Sequence, residues 1–458
     1  MMKTTDLLIP WCGARQLLTD HFRCPETDTE FHIAGDLSDR PGFFRFGSDT
    51  LFGQCSSYRP SNSGDAQLPD VSDSILVSDA HVAMPFDATQ VVDNLRLERY
   101  ASTSSRGRSL QAKSASRSLY YMLRPALPMA IRKHFQRLYL RDWEQLFFPR
   151  WPVDLTVEHL FQKLLVLLMK SQGLTNIPFV WFWPDGAQSC TIMTHDVETP
   201  AGRDFCGQLM DLNDSFGIKG SFQLVPEDRY EVTESFLASI RSRGFEINVQ
   251  DLNHDGQLFN DYDRFMQRAA RINSYAKQFG SKGFRSAVLY RNPNWFSSLD
   301  FSYDISIPNV AHLDPQRGGC CTVFPYFIGD ILELPVTTTQ DYSLFQIFGD
   351  YSIQLWRKQI ALIQEAHGLI SFIAHPDYLI DAASRRVYIE LLAYLSELRT
   401  RNETWIAPPG DVAEWWKLRS KLQLNKIGSS WRIEGPGWER ARLAYAVVDG
   451  DSVSYELA

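Results

Sequence analysis

The sequence predicts an α/β protein whose largest part is a mainly parallel sheet or barrel, with an N-terminal α+β region before it and a small C-terminal β-rich appendage after it. Three observations predict this architecture. From residue 186 onward, short apolar runs alternate with longer segments of helical period. Ionisable residues directly follow several of these runs, and the composition changes on both sides of the alternating region. With 458 residues and 44% hydrophobic content, the chain is long enough for two or three domains.

Composition divides the chain into five parts. The first alternates short apolar runs with glycine, proline and aspartate, which predicts short strands and turns of no particular fold. The second contains seven serines, four basic residues and no acidic residue, which predicts a solvated linker. A helical segment, the alternating region, and a helix followed by a small antiparallel sheet complete the chain. The predicted boundaries are 1–100, 101–118, 119–185, 186–410 and 411–458.

The alternating region contains six predicted strands, with a helix after each of the first three and another before the last. Several of the helical segments end at a glycine, as helices commonly do. In parallel α/β folds the chemistry lies at the C-terminal ends of the strands, so these ends are where site residues are expected. The strands are SCTIMT, KGSFQLV, FEINV, FRSAV, ILELPV and LISFIAH, and the helices are FCGQLMDLNDSFG, ESFLASIRSRG, DYDRFMQRAARINSYAKQFG and SIQLWRKQIALIQEAHG.

Charge and hydropathy argue against several classes of protein. A net charge of −8 and a pI near 5.7 argue against a nucleic-acid partner. The most apolar stretch, residues 160–169, contains Lys163 and has about half the length that spans a bilayer. The first residues lack the apolar core of a secretory signal, so we expect a cytoplasmic protein. Seven cysteines without a CxxC pair agree with reduced thiols in that compartment.

A basic amphipathic helix is predicted over residues 128–143. Its apolar residues fall on one stripe and its arginines and lysines on the other side. The favoured interpretation is a helix that packs on its own protein with its charges in water. The alternative is a peripheral contact with an anionic membrane surface.

Ionisable side chains gather at three predicted strand ends and in one segment between them. Each of these residues alone is typical of a cap or a turn. Together, carboxylates and histidines at neighbouring strand ends can hold a divalent metal and supply a base and an acid for hydrolysis. The residues are Thr194, His195, Asp196 and Glu198 after the first strand, Gln250, Asp251, Asn253, His254 and Asp255 after the third, Arg285 and Arg291 further on, and His375 and Asp377 after the last.

Five motifs, with a sixth segment between the first two, resemble in order those of the polysaccharide deacetylases, also called the NodB-homology or carbohydrate esterase family four. The resemblance covers residues 189–409, about half of the chain. It implies a distorted NodB-type (β/α) barrel for the alternating region. The segments that carry it are THDVE, GIKGSFQLVPE, GFEINVQDLNHDG, GFRSAVLYRNPNW with LDFSYDIS, ILELPVTTTQDY and LISFIAHPDYLI.

The resemblance implies a role for individual residues. Asp196 is at the position of the general base, and Arg285 is at the position of the residue that orients it. His254 is at the position of a metal-binding histidine, and His375 is at that of the general acid. The implied cofactor is a divalent metal, zinc or another transition metal, held by His254, Asp196 and Glu198.

The sequence departs from the family pattern at two positions. Gln250 stands where the family has the first histidine of H-x-x-x-H, and Val197 stands where it has a second aspartate. An amide is a poor zinc ligand. Glu198 lies on the same strand face as Asp196 and can supply the missing carboxylate, whereas alternation points His195 away from them.

The function that the resemblance implies is hydrolysis of a carbon–nitrogen bond that is not a peptide bond. The substrate is an N-acetyl or similar acyl group on a carbohydrate or a sugar-linked intermediate, with acetate as the product. Because of Gln250, three outcomes stay open: an altered metal shell, a metal-free hydrolase, or a non-catalytic glycan-binding or polysaccharide-assembly protein on the same barrel. Trp295 and Tyr290 are candidates for stacking on sugar rings, and packing at the barrel end explains them equally well.

Two further regions carry weaker predictions. The segment 309–329 is long enough to cover a substrate, and its adjacent Cys320 and Cys321 are predicted to be buried small hydrophobes rather than metal ligands. The tryptophan pair Trp415 and Trp416 is predicted to belong to the core.

Overall fold

The computed structural model describes residues 9–11, 13–58, 60–64, 67–102 and 143–458. Nearly all of the serine-rich linker and of the basic helix predicted over 128–143 lies outside the described residues. In the described ranges every helix is too short or too polar to cross a membrane.

A curled sheet of nine strands forms the centre of the molecule. All of its neighbouring pairs are parallel except the first, and helices connect most of them, as the alternating pattern predicts. Its strands in spatial order are Tyr326–Ile328, Ile331–Glu333, Tyr303–Asp304, Gly283–Arg285, Glu246–Gln250, Ser221–Leu224, Cys190–Val197 and Leu369–Ala374, and Trp405–Ile406 pairs with the start of Cys190–Val197.

Threonine side chains join the two ends of the parallel sheet. Thr337 and Thr338 follow the Ile331–Glu333 strand and reach the opposite edge strand, Leu369–Ala374. Thr337 Oγ1 donates to the carbonyl of Leu369 at 2.8 Å, and Thr338 Oγ1 donates to that of Ser371 at 2.7 Å. One backbone hydrogen bond, from Thr338 N–H to the carbonyl of Ser371 at 3.3 Å, accompanies them, so the sheet closes mainly through side chains and forms a distorted α/β barrel.

The helices around the sheet begin and end where the local chemistry favours it. Thr199 caps the first by accepting from the N–H of Gly202, and Asp261 caps the third by accepting from Arg264. Gly280 ends the third helix at φ 59°, a left-handed conformation that costs glycine little. The five helices are Pro200–Ser215, Glu234–Ser242, Tyr262–Phe279, Gln354–Glu365 and Ala382–Thr400.

The N-terminal region is an α+β unit that packs on the barrel. Its four-stranded sheet has the order Ile9–Trp11, Glu30–Ile33, His81–Met84, Leu76–Ser78. Buried residues of this region and of the barrel belong to one hydrophobic cluster, so the two share a core. The remaining elements of the region are the hairpin Gly42–Phe46 with Asp49–Gly53 and the helices Gly13–Phe22 and Ala88–Arg96.

A strand pairing connects the parts of the chain on either side of the barrel. The segment 119–185 contains the helix Thr156–Ser171 but also a strand, Asn176–Val180, which lies antiparallel to Leu443–Asp449. The C-terminal strands therefore do not form one independent sheet. The strand Asn176–Val180 was not predicted because it contains Pro178, and proline is rare in strands. Proline is tolerated here because this strand lies at the edge of its sheet.

The remaining C-terminal elements also divide between two sheets. The strand Leu443–Asp449 pairs on its other side with Ser452–Leu457, while Gln423–Ile427 and Ser430–Glu434 form a separate hairpin. The helix Pro409–Arg419 precedes them, and it buries Trp415 and Trp416, which confirms their assignment to the core.

Candidate active site

The C-terminal ends of four parallel strands bring the predicted site residues to one edge of the barrel. Asp196 is the second-last residue of the strand Cys190–Val197. Gln250 and Arg285 are the last residues of two neighbouring parallel strands and are register partners. His375 directly follows the strand that pairs with the strand of Asp196. Because parallel strands end at the same edge of the sheet, four distant segments meet there.

Asp196 is held by two donors on one of its carboxylate oxygens. Gln250 Nε2 and Arg285 Nη1 each donate to Oδ2 of Asp196 at 3.3 Å. The other oxygen, Oδ1, is buried without a hydrogen-bond partner among the described residues. Burial raises the pKa of Asp196, and the charge of Arg285 offsets only part of this effect. The free oxygen is thus available to accept a proton or to bind a metal.

Glu198 lies at the centre of the cluster. Its Oε1 is 2.7 Å from His254 Nε2, 3.1 Å from Gln250 Nε2 and 3.5 Å from His375 Nε2. Burial raises the pKa of Glu198, but the two histidines outweigh burial and place the pKa well below its usual value. Glu198 is therefore ionised.

The carboxylate of Asp341, which was not predicted as a site residue, contacts Nδ1 of His375. Asp341 Oδ1 is 2.6 Å from Nδ1 of His375, and Asp341 Oδ2 accepts from the backbone N–H of His375 at 2.7 Å. Burial lowers the pKa of His375, but Asp341 and Glu198 outweigh burial and raise the pKa well above its usual value. The signal for Asp341 was the Gln-Asp-Tyr run after a predicted strand, in the segment that resembles the fourth motif.

Arg285 is completely buried and surrounded by acceptors. Besides Asp196, its guanidinium donates to Thr194 Oγ1 at 2.9 Å. Two further buried carboxyl groups, Asp304 and Glu333, interact with each other and with its charge. Burial raises the pKa of Glu333, and the adjacent Asp304 raises it further. The arrangement fixes the guanidinium against Asp196.

The structure separates two other predicted residues from the cluster. His195 is fully buried and contacts the carbonyl of Ser221 and the hydroxyl of Tyr388, on the other side of its strand, as alternation predicts. Arg291 forms a buried ion pair with Glu98 of the N-terminal region. Neither side chain is a ligand or an acid–base group of the cluster.

The donor set of the cluster fits a divalent transition metal. Ligand atoms of Asp196, Glu198 and His375 lie within 4.8 Å of one another, and His254 adjoins them through Glu198. Carboxylate oxygen and imidazole nitrogen are ligands of zinc and its neighbours. The unpartnered Asp196 Oδ1 is a free donor atom. The predicted ligands Asp196, Glu198 and His254 therefore lie in one cluster, with His375 beside them.

The two aromatic candidates lie in different surroundings. The ring of Trp295 is 5.2 Å from that of Phe265 and 5.3 Å from that of Tyr262, on the neighbouring helix. Tyr290 is buried, with 3% of its surface exposed. These contacts correspond to the packing role that the sequence left open, and stacking on a sugar stays a prediction.

The adjacent cysteines of segment 309–329 are structural. Cys320 and Cys321 are fully buried and unpaired, which confirms the prediction of small buried hydrophobes. Burial raises the pKa of both thiols, so they are poor nucleophiles and poor metal ligands at neutral pH.

No protein-family model matches the sequence, and no curated protein matches it. Similar solved structures include a protein described as a polysaccharide deacetylase from Mycobacterium smegmatis, at 18% identity and a TM-score of 0.42 over 52% of this chain and 93% of that chain. Puue allantoinase is similar at 12% identity and a TM-score of 0.40 over 51% and 92% of the two chains. Peptidoglycan deacetylase PdaC from Bacillus subtilis is similar at 11% identity and a TM-score of 0.32 over 50% and 92%. Polysaccharide deacetylases are the family that the sequence motifs resemble.

Proposed function

We propose that this protein is a metal-dependent hydrolase that removes an N-acetyl or similar acyl group from a carbohydrate or a sugar-linked intermediate. The observation that carries the proposal is the convergence of Asp196, which has one free oxygen, with Glu198 and two histidines at one barrel edge. These are the groups that hydrolysis of an amide requires: a base, a cation site and an acid.

Glu198 and His254 are the residues that would hold the metal, which leaves Oδ1 of Asp196 and Nε2 of His375 for the proton transfers. A bound divalent cation would polarise the acyl carbonyl and lower the pKa of water. Glu198 is the group best placed to bind it, since it is ionised and both histidines face it.

Asp196 is the proposed general base. Gln250 and Arg285 occupy its Oδ2, so its Oδ1 is left to accept a proton from the attacking water. Arg285 is held by Thr194 and cannot turn away, and its role is to position the carboxylate. Burial raises the basicity of Asp196, which improves proton transfer near neutral pH.

His375 is the proposed general acid. Its Nδ1 is engaged by Asp341, so Nε2 is the nitrogen that faces the site. A protonated Nε2 can donate to the departing amine nitrogen, and without that proton the amine is a poor leaving group. The bond between the acyl carbon and the nitrogen then breaks, and acetate and a free amino sugar are released.

One observation favours a second candidate, a non-catalytic glycan-binding or polysaccharide-assembly protein. The amide of Gln250 donates to both Asp196 and Glu198, at 3.3 and 3.1 Å, and so links the two carboxylates without a metal. In that case the same barrel edge would hold a glycan without turnover. Contact of residues 128–143 with a membrane surface stays a further prediction for either function.

Two measurements distinguish the hydrolase from the glycan-binding protein. They are acetate release from acetylated chito-oligosaccharides and elemental analysis of the purified protein. The hydrolase proposal predicts release that a chelator abolishes and that added zinc restores. Asp196→Asn should reduce release at least 100-fold while leaving the unfolding transition in place. Glycan binding without release in the metal-loaded protein would overturn the hydrolase and support the binder.

A further inference from the structure

A second group of metal-binding side chains lies on the N-terminal sheet, on a different part of the chain from Asp196. Glu30 and His32 are two residues apart on the strand Glu30–Ile33, so they project from the same face. His81 begins the parallel neighbouring strand and is the register partner of Glu30. Phe31 and Val82, which alternate with them, are buried in the core. The three polar side chains therefore lie together on the outer face.

The donor atoms of these side chains converge on one point. His32 Nε2 is 3.3 Å from Glu30 Oε2 and 3.3 Å from His81 Nδ1, and His81 Nδ1 is 3.7 Å from Glu30 Oε2. Ligands about 2.0–2.1 Å from a tetrahedral zinc ion are about 3.3–3.4 Å from one another. The triangle of donor atoms thus has nearly the edge length of a tetrahedral zinc shell.

Hydrogen bonds within the group do not satisfy all three donor atoms. A proton between the two imidazoles makes one hydrogen bond, from one ring nitrogen to the other. Glu30 Oε2 lies close to a nitrogen of both rings. Within the part of the chain that the structure describes, these three atoms make their polar contacts with one another. Two imidazoles and a carboxylate form a donor set that binds zinc and similar ions.

Two of the three side chains are open to solvent. The side chain of His32 is 9% exposed, whereas those of His81 and Glu30 are 55% and 58% exposed. One ligand is therefore fixed by packing, and the other two can close over an ion from outside. A fourth position is left for water.

We propose that Glu30, His32 and His81 bind a Zn²⁺ ion, or a transition-metal ion of similar preference, independently of the proposed active site. The ion would connect two parallel strands whose ligands are far apart in sequence, and it would stabilise the N-terminal sheet, because binding to the folded state alone favours that state. This inference does not depend on the proposed hydrolase function.

The test is equilibrium dialysis of chelator-stripped full-length protein against Zn²⁺, with elemental analysis of bound metal. His32→Gln/His81→Gln should bind one zinc ion fewer per chain than the wild type. Glu198→Gln, which disrupts the other cluster, should keep that ion. Asp79→Asn removes an exposed carboxylate near the same strands and should change nothing.

Two further measurements make the result decisive. Glu30→Gln alters only an exposed side chain, so it tests the site even if the double variant does not fold, and it should weaken zinc binding at this site at least tenfold. Zinc should raise the thermal unfolding temperature of Glu198→Gln, and adding His32→Gln/His81→Gln or Glu30→Gln should remove that increase. Unchanged zinc stoichiometry and affinity in Glu30→Gln, or loss of all zinc in Glu198→Gln, would overturn the proposal.

Discussion

Asp341 holds His375 through two contacts, one to the ring nitrogen Nδ1 at 2.6 Å and one to the backbone N–H at 2.7 Å. These contacts fix the direction of the imidazole, and the charge of Asp341 raises the pKa of the ring. The proposed acid therefore depends on a residue from another segment, which orients the ring and does not itself face the cluster.

Asp341→Asn should lower kcat about 100-fold and change its pH dependence. The carboxylate is among the groups that raise the pKa of His375 above its usual value, so its loss lowers that pKa. The acid form then disappears at a lower pH, and the alkaline limb of the kcat profile shifts toward lower pH. Asp330→Asn, an exposed carboxylate, is the control and should leave the profile unchanged. An unmoved alkaline limb in Asp341→Asn would rule out His375 as the acid.

Gln250→His should raise the zinc affinity of the active-site cluster at least tenfold. The side-chain nitrogen of Gln250 is already 3.1 Å from Glu198 and 3.3 Å from Asp196, so an imidazole there can reach the same ion. Titration with zinc in the His32→Gln/His81→Gln background measures this site alone. Gln208→His, on an exposed helix face, is the matched control. Unchanged affinity would show that the cluster does not bind zinc through this position. Higher affinity without a change in activity would show that the natural site does not need the extra ligand.

Glu158→Gln should stabilise the protein at alkaline pH. Burial raises the pKa of Glu158 to about 7, because the hydrogen bonds from Thr322 and Val323 offset it only in part. The folded-state pKa lies above the unfolded value, so the contribution to stability is complete below pH 4.5 and is lost as the pH rises through 7. The loss amounts to about 3 kcal/mol.

Urea unfolding at pH 5 and pH 8 checks this prediction. The wild type should lose stability between the two values, whereas the glutamine variant, which keeps the acceptor oxygen, should lose less. Glu144→Gln, at an exposed position, should behave as the wild type. Equal pH dependence of the wild type and Glu158→Gln would contradict the assigned pKa.

Glu98→Ala should destabilise the protein by about 3–5 kcal/mol, because it leaves the buried Arg291 without its counter-charge. Glu98 Oε2 accepts from Arg291 Nε at 2.6 Å, and Oε1 accepts from the backbone N–H of Gly319 at 2.6 Å. The double variant Glu98→Ala/Arg291→Met should recover part of the loss in unfolding free energy. The exposed Glu26→Ala is the control. A loss of less than 1 kcal/mol in Glu98→Ala would show that Arg291 finds another partner.

Local patterns were sufficient to predict the parallel strands and the residues at their ends. The apolar strands leading to Asp196, Gln250, Arg285 and His375 were all recognisable, and the rule that parallel strands end at one edge brought the four together. The same patterns failed at Asn176–Val180, where Pro178 interrupts the strand signal and the partner strand lies near the C-terminus. The pairing joins a strand that precedes the barrel to one near the C-terminus, which no local pattern encodes.

Spacing along the chain was enough to establish the class of fold and most of its elements, because the periods of helices and strands are local properties. The contacts that define the site are not local: Asp341 and His375 are 34 residues apart, and Glu98 and Arg291 are 193 apart. The relative positions of whole elements decide these contacts. They determine which acid holds His375, which histidine joins Asp196 and Glu198, and how Glu30 meets His81. Those positions follow from packing of the shared core, which no local period encodes.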